Sequence, residues 1–130
     1  MRINNIKYPT SLSTVKDIEN GNIDVFVELE DGITYTVVVS TPPNLIWYMD
    51  KEEMDYITPS PPLVMVRTLT EDNIRKALES FAEKDAYWLK LYHLAGKRDG
   101  IFDVKEMDRV IGEMHEETLK DYMEFIDSKS

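Results

Sequence analysis

Residues 22–40 read NIDVFVELEDGITYTVVVS, and the way the two halves of this stretch pair decides the fold. From Asn22 to Glu30, and again from Ile33 to Ser40, apolar and polar residues alternate with period two, the pattern of a half-buried strand. Asp31-Gly32 lies between them, a hairpin signal. A two-residue loop would pair Glu30 with Ile33 and set Ile23, Val25, Val27 and Leu29 beside Thr34, Thr36 and Ser40, so neither face would be apolar. A three-residue loop, Glu30-Asp31-Gly32, pairs Leu29 with Ile33, Val27 with Tyr35, Val25 with Val37 and Ile23 with Val39, and one face becomes wholly apolar. A one-residue slip turns every side chain to the other side of the sheet, so the pattern selects the second register. Gly32 then takes the left-handed position of a G1 bulge, where glycine has no steric penalty.

On the N-terminal side of the hairpin, Ser13 predicts a short helix through about Asn20, with Val15 and Ile18 inward and Gly21 as its stop. On the other side, Thr41-Pro42-Pro43 opens a helix from about Asn44 to Glu53, with Leu45, Tyr48 and Met49 on one side of it. TPSPP at 58–62 reads as a stiff loop, and LVMVR at 63–67 as a short strand covered on both faces. Thr70 caps the next helix, with Glu71 and Asp72 in its first turn and Ile74, Leu78, Phe81, Trp88 and Tyr92 at helical spacing. This helix breaks near Lys84, its apolar half from Ala86 to Ala95 is the most buried helix, and Gly96 ends it. A last helix runs from about Val104 to Ile126, with Val104, Met107, Ile111, Met114, Thr118, Tyr122 and Phe125 as its inner stripe. The expected fold is one α+β domain over 1–130, in the order α-β-β-α-β-α-α. Its three-stranded, mostly antiparallel sheet is covered by helices.

Composition limits the function. The 130 residues carry 25 acids and 15 bases, a net charge of -10, which repels phosphate backbones and anionic membranes and speeds encounter with a basic protein. Nucleic acid and membrane are therefore not expected partners. No stretch approaches the roughly 20 apolar residues that span a bilayer, and the start, MRINNIKYPTS, has no apolar run of signal-peptide length. There is no cysteine, which excludes disulfides and thiolate chemistry and fits a reducing cytoplasm.

Residues 95–106, AGKRDGIFDVKE, resemble the second half of an EF-hand calcium loop. That resemblance implies Asp99 and Glu106 as ligands, with Asp103 acting directly or through water. Positions one and three of such a loop are Ala95 and Lys97, which offer calcium no side-chain oxygen. Local chemistry accounts for the segment instead: Gly100 turns the chain, Asp103 caps the last helix and Glu106 completes a capping box. His93 lies in an apolar turn with no second ligand at i±3 or i±4, and His115 reads as an exposed helix residue. HExxH would need a histidine where Leu119 stands, no serine sits in a G-x-S-x-G elbow, and Gly96-Lys97-Arg98 lacks the rest of a phosphate loop. Trp47, Tyr48 and Trp88 read as core at helical spacing. No metal, no cofactor and no catalytic residue is expected.

Two surfaces carry a partner-binding reading. One is DKEEMDY at 50–56, where Asp50, Glu52, Glu53 and Asp55 lie between Tyr48 and Tyr56. The other is the acidic face of the last helix, with Glu113, Glu116, Glu117 and Asp121. Aromatic groups set among acids fit a basic partner. Phe26, opposite Thr36 and near Val38, is an outward apolar position that a helix or a partner must cover.

The string DAYWLKLYHLAG, Asp85 to Gly96, resembles one found in small acidic uncharacterised proteins of Gram-positive bacteria. In size, acidity and missing cysteine the whole chain also resembles immunity proteins of bacterial toxin systems. That resemblance implies a cytoplasmic protein that masks a basic toxin domain by occlusion and charge complementarity, without chemistry of its own. The alternative is a small enzyme or ligand-binding protein with a pocket between the sheet and the Trp88 helix.

Overall fold

A computed structural model describes residues 1–58, 63–97 and 102–129, without the side chains of Lys97, Glu116, Thr118 and Lys129. The protein divides into two compact units, 1–97 and 98–130. The first holds a four-stranded mixed sheet in the order β1-β2-β3-β4. The strands are β1 (Ile3–Lys7), β2 (Asn22–Leu29), β3 (Thr34–Ser40) and β4 (Leu63–Met65). The helices are α1 (Pro42–Lys51), α2 (Glu71–Phe81) and α3 (Glu83–Lys97). The described residues of the second unit hold one helix, α4 (Val104–Lys129).

The hairpin takes the three-residue loop. Val27 pairs with Tyr35, Val25 with Val37 and Ile23 with Val39. The Leu29 N–H donates to Ile33 O at 3.1 Å and the Gly32 N–H to Leu29 O at 2.9 Å. Gly32 has φ 80, the left-handed conformation that the register demands. Ile23, Val25, Val27, Leu29, Tyr35, Val37 and Val39 are all buried. Ile33, at the loop, is exposed. Behind this face pack Ile74 and Leu78 of α2 and Leu89 of α3, together with Ala82, Ala86, Val64, Val66 and Leu69. The unit is thus a sheet with helices packed on its apolar side.

The α+β class holds, while the strand count and the order do not. A fourth strand, β1, precedes the hairpin and pairs antiparallel with β2. Its pairing shifts between Ile3 and Asn5, so the bulge brings Ile3 and Ile6, three apart, towards the same side. The expected helix at Ser13–Asn20 is absent. The chain makes one 3-10 turn, Leu12–Thr14, and then bends. Side chains supply the reason: the Thr14 hydroxyl bonds Ser11 O and the Asp17 carboxylate accepts the Glu19 N–H, so the backbone is satisfied locally without a helix. β4 is parallel to β3 and lies at the sheet edge, with Val64 buried and Met65 exposed, so it is covered on one face rather than two.

The helix that begins after Thr70 does break near Lys84. Thr70 Oγ1 caps α2 by accepting the Asn73 N–H at 3.2 Å. Lys84, Asp85 and Ala86 then turn left-handed, and α3 continues through Gly96 to Lys97. Gly96 therefore lies inside the helix rather than ending it. Within Ala86–Ala95, Ala86 and Leu89 are buried and Lys90, Leu91, Tyr92 and His93 half-buried, a larger covered share than α1 or α2 has, although Tyr87, Trp88 and Leu94 are exposed. The loop residues Pro59–Pro62 lie outside the described residues, as do Asp99 and Gly100 of the calcium-loop resemblance.

Asp103 caps α4, with its Oδ1 accepting the Lys105 N–H at 3.0 Å and its backbone oxygen the Met107 N–H at 2.9 Å. Glu106 pairs with Arg109, which also pairs with Glu113. The hydrogen bond from Arg109 holds the Glu106 carboxyl below the usual glutamate range. Val104, Met107, Ile111, Met114, Tyr122 and Phe125, expected as an inner stripe, are exposed along α4. The Thr118 side chain lies outside the described residues.

Candidate functional site

α1 and the turn that follows it gather the first partner-binding set on one short segment. Pro42 and Pro43 open the helix, where a missing N–H is not needed. The Thr41 hydroxyl is turned away from capping and instead accepts the Gly21 N–H at 3.2 Å, while the Thr41 N–H donates to Gly21 O at 3.1 Å. This exchange ties the root of α1 to the start of β2. Leu45 and Met49 are half-buried and form the anchored side. Trp47, at 50%, and Tyr48 are exposed, so neither is core. Trp88 is likewise exposed, at 48%.

The C-terminus of α1 is a Schellman turn. The Glu53 N–H donates to Asp50 O at 3.3 Å and the Met54 N–H to Met49 O at 2.8 Å. The residue that must turn left-handed in this motif is Glu53, with φ 53, where glycine is the usual occupant. Asp50, Glu52, Glu53 and Asp55 all sit in or just beyond the last turn, the negative end of the helix dipole, which favours cations. Lys51 is the base of that last turn, and its ammonium lies 5.1 Å from the centroid of the Trp47 ring. Tyr56, 73% exposed, and Met54 complete the surface. Trp47, read as core from the sequence, joins this patch, as do Lys51 and Met54, which lie inside the 50–56 stretch but are not named there as contacts; the i,i+4 spacing of Trp47 and Lys51 is the available signal.

The second partner-binding set lies on α4. Glu113, Glu117 and Asp121 are exposed, Glu113 is engaged by Arg109, and the Glu116 side chain lies outside the described residues. Phe26 pairs with Thr36 on the outward face of the sheet; Phe26 is exposed, and Thr36 and Val38 are half-buried.

His93 meets Tyr35 edge-on, with ring centroids 5.1 Å apart, and its buried Nδ1 has no hydrogen-bond partner. The Tyr35 hydroxyl donates to Asp31 Oδ2 at 3.3 Å. Burial, and then the Asp31 carboxylate, raise the Tyr35 phenol above its ordinary value. Among the described residues no three histidine or acidic groups are placed to hold a metal ion, and no helix is long and apolar enough to cross a membrane. A groove of about 560 Å³ runs between Glu19, Pro42 and Pro43 and the segment Met65–Thr68; Trp88 does not line it. Comparison with protein families, curated proteins and solved structures found no match.

Proposed function

We propose that this chain is a protein-binding module that engages a basic partner through the C-terminal end of α1, in the manner of a toxin-neutralising immunity protein. The observation that carries the reading is Glu53. A non-glycine residue in the left-handed region costs about 1–2 kcal/mol, and an acid at a helix C-terminus opposes the dipole by about 0.3–1 kcal/mol. Both penalties fall on the same residue, beside three more acids and an exposed Trp47, Tyr48 and Tyr56. Local costs that stability does not explain belong to surfaces kept for another purpose. The patch has the composition of an interface core, aromatic groups ringed by charge. The mechanism is occlusion: acids steer the encounter, and the aromatic groups then hold the complex.

Glu53→Gly separates the two roles. It should raise the melting temperature, because glycine relieves the left-handed turn, and yet weaken the complex. Partner capture from the source cells, followed by association kinetics at several salt concentrations, provides the test. Glu52→Lys with Glu53→Lys should slow association and flatten its salt dependence, since steering fades as the Debye length shortens to about 8 Å at physiological salt. Retention of small metabolites alone, or a complex insensitive to salt and to these variants, would overturn the reading.

A further inference from the structure

From Thr70 to Lys97 there is no proline, and the one glycine, Gly96, lies near the end. Ile74, Leu78, Phe81, Trp88 and Tyr92 keep helical spacing throughout, so local sequence specifies one continuous helix. The helix is instead broken by a kink. Lys84, Asp85 and Ala86 take φ/ψ of 54/50, 58/34 and 59/36. Each has a Cβ that the left-handed conformation crowds against the following carbonyl, and such residues normally occur singly. The Ala86 N–H donates to Ala82 O at 3.1 Å, the same i→i+4 pair that a continuous helix would form. The kink therefore strains three residues without gaining that hydrogen bond.

What holds the kink is the packing beyond it. Ala86 and Leu89 are buried in the core, and His93 meets Tyr35 of β3. These contacts need α3 against a sheet, but the sheet need not belong to the same chain. We infer that two copies exchange α3, with Lys84–Ala86 as the hinge, so that α2 and α3 run on as one straight helix in each chain. The exchanged and unexchanged forms share the α3–sheet contacts. They differ at the hinge, where straightening relieves three left-handed residues per copy. The occupant of the vacated site is fixed by shape: it is the α3 of a second copy. Because each copy carries a net charge of -10, the dimer should strengthen as salt screens the repulsion.

The test uses the full chain, sized by chromatography with light scattering from micromolar to millimolar concentration, and again after unfolding and refolding at millimolar concentration. A dimer should accumulate with concentration and on concentrated refolding. Lys84→Gly with Asp85→Gly relieves the closed hinge and disfavours the straight helix, and should weaken the dimer by at least about 100-fold. Exchange is read from Tyr35→Cys with His93→Cys, cross-linked by a bis-maleimide in a chain with no cysteine of its own. The link should fall within one chain in the monomer and between chains in the dimer. Monomer under every condition, a dimer linked only within chains, or a dimer unaffected by the glycine pair would each overturn the inference. If the cysteine pair disturbs the core, the glycine pair decides alone.

Discussion

Gly21→Ala isolates one contact between the root of the sheet and the segment leading into α2. Gly21 lies outside the left-handed region, so alanine is compatible with its backbone. The added Cβ would stand 2.5 Å from Leu69 Cδ1, with Asp17 O at 3.5 Å and Val15 Cγ1 at 3.6 Å. Leu69 is buried, with its N–H donating to Ile18 O at 2.7 Å, so its backbone is held and only its side chain can yield. Overpacking of this kind costs about 1–3 kcal/mol. In a unit of this size about 1 kcal/mol moves the melting temperature by roughly 4–8 °C, so a fall of about 5–20 °C is expected. Leu69→Val removes the clashing methyl and, as a core truncation, should cost about 1 kcal/mol by itself. In the double variant the clash is gone, so the two effects should fall short of their sum by about 1 kcal/mol or more. Urea titration of the four proteins closes the cycle. Additivity within about 0.5 kcal/mol would refute the steric account and place the cost of Gly21→Ala elsewhere.

Gly32→Ala meets nothing within 4 Å, so its cost should be backbone strain alone, about 1 kcal/mol, unrelieved by Leu69→Val and measurable in the same titrations. Thr70→Ala removes the cap of α2 and should cost about 0.5–2 kcal/mol by the same assay. The raised pKa of Tyr35 means that the folded chain holds the phenolic proton more tightly than the unfolded chain, whose value is near 10.0. That contribution is complete below the unfolded value and disappears as pH rises through the folded one, so Tyr35→Phe should flatten the alkaline loss of stability above about pH 10, followed by circular dichroism. Calcium at millimolar concentration should leave the melting curve unchanged, because Ala95 and Lys97 offer no side-chain oxygen; a rise that magnesium does not reproduce would contradict this.

The hairpin was legible because one register alone makes an apolar face, and a two-sided pattern leaves little freedom. The first strand was not, because its bulge at Asn4 breaks the alternation by which strands are recognised. The segment 13–20 imitates a helix in the spacing of Val15 and Ile18, but its serine, threonine and aspartate side chains compete for the backbone. The break at Lys84 is legible in place but not in kind, since EKDA holds no glycine and an aspartate alone does not specify three left-handed residues in a row. At the candidate site the acids and tyrosines were legible as a cluster. The tryptophans were misjudged as core because helical spacing tells which residues share a side and not whether that side is covered.

The order of the strands along the chain has a consequence during synthesis. β1, β2 and β3 are complete by Ser40, and their shared apolar face is covered by α2, which ends at Phe81. At about 5–20 residues per second, the ribosome takes roughly 2–8 s to add the residues between. The hairpin itself closes within about 1–10 μs of its emergence. For those few seconds the apolar face of each nascent sheet has no α2 to cover it, and it is the surface by which an unfinished chain would aggregate.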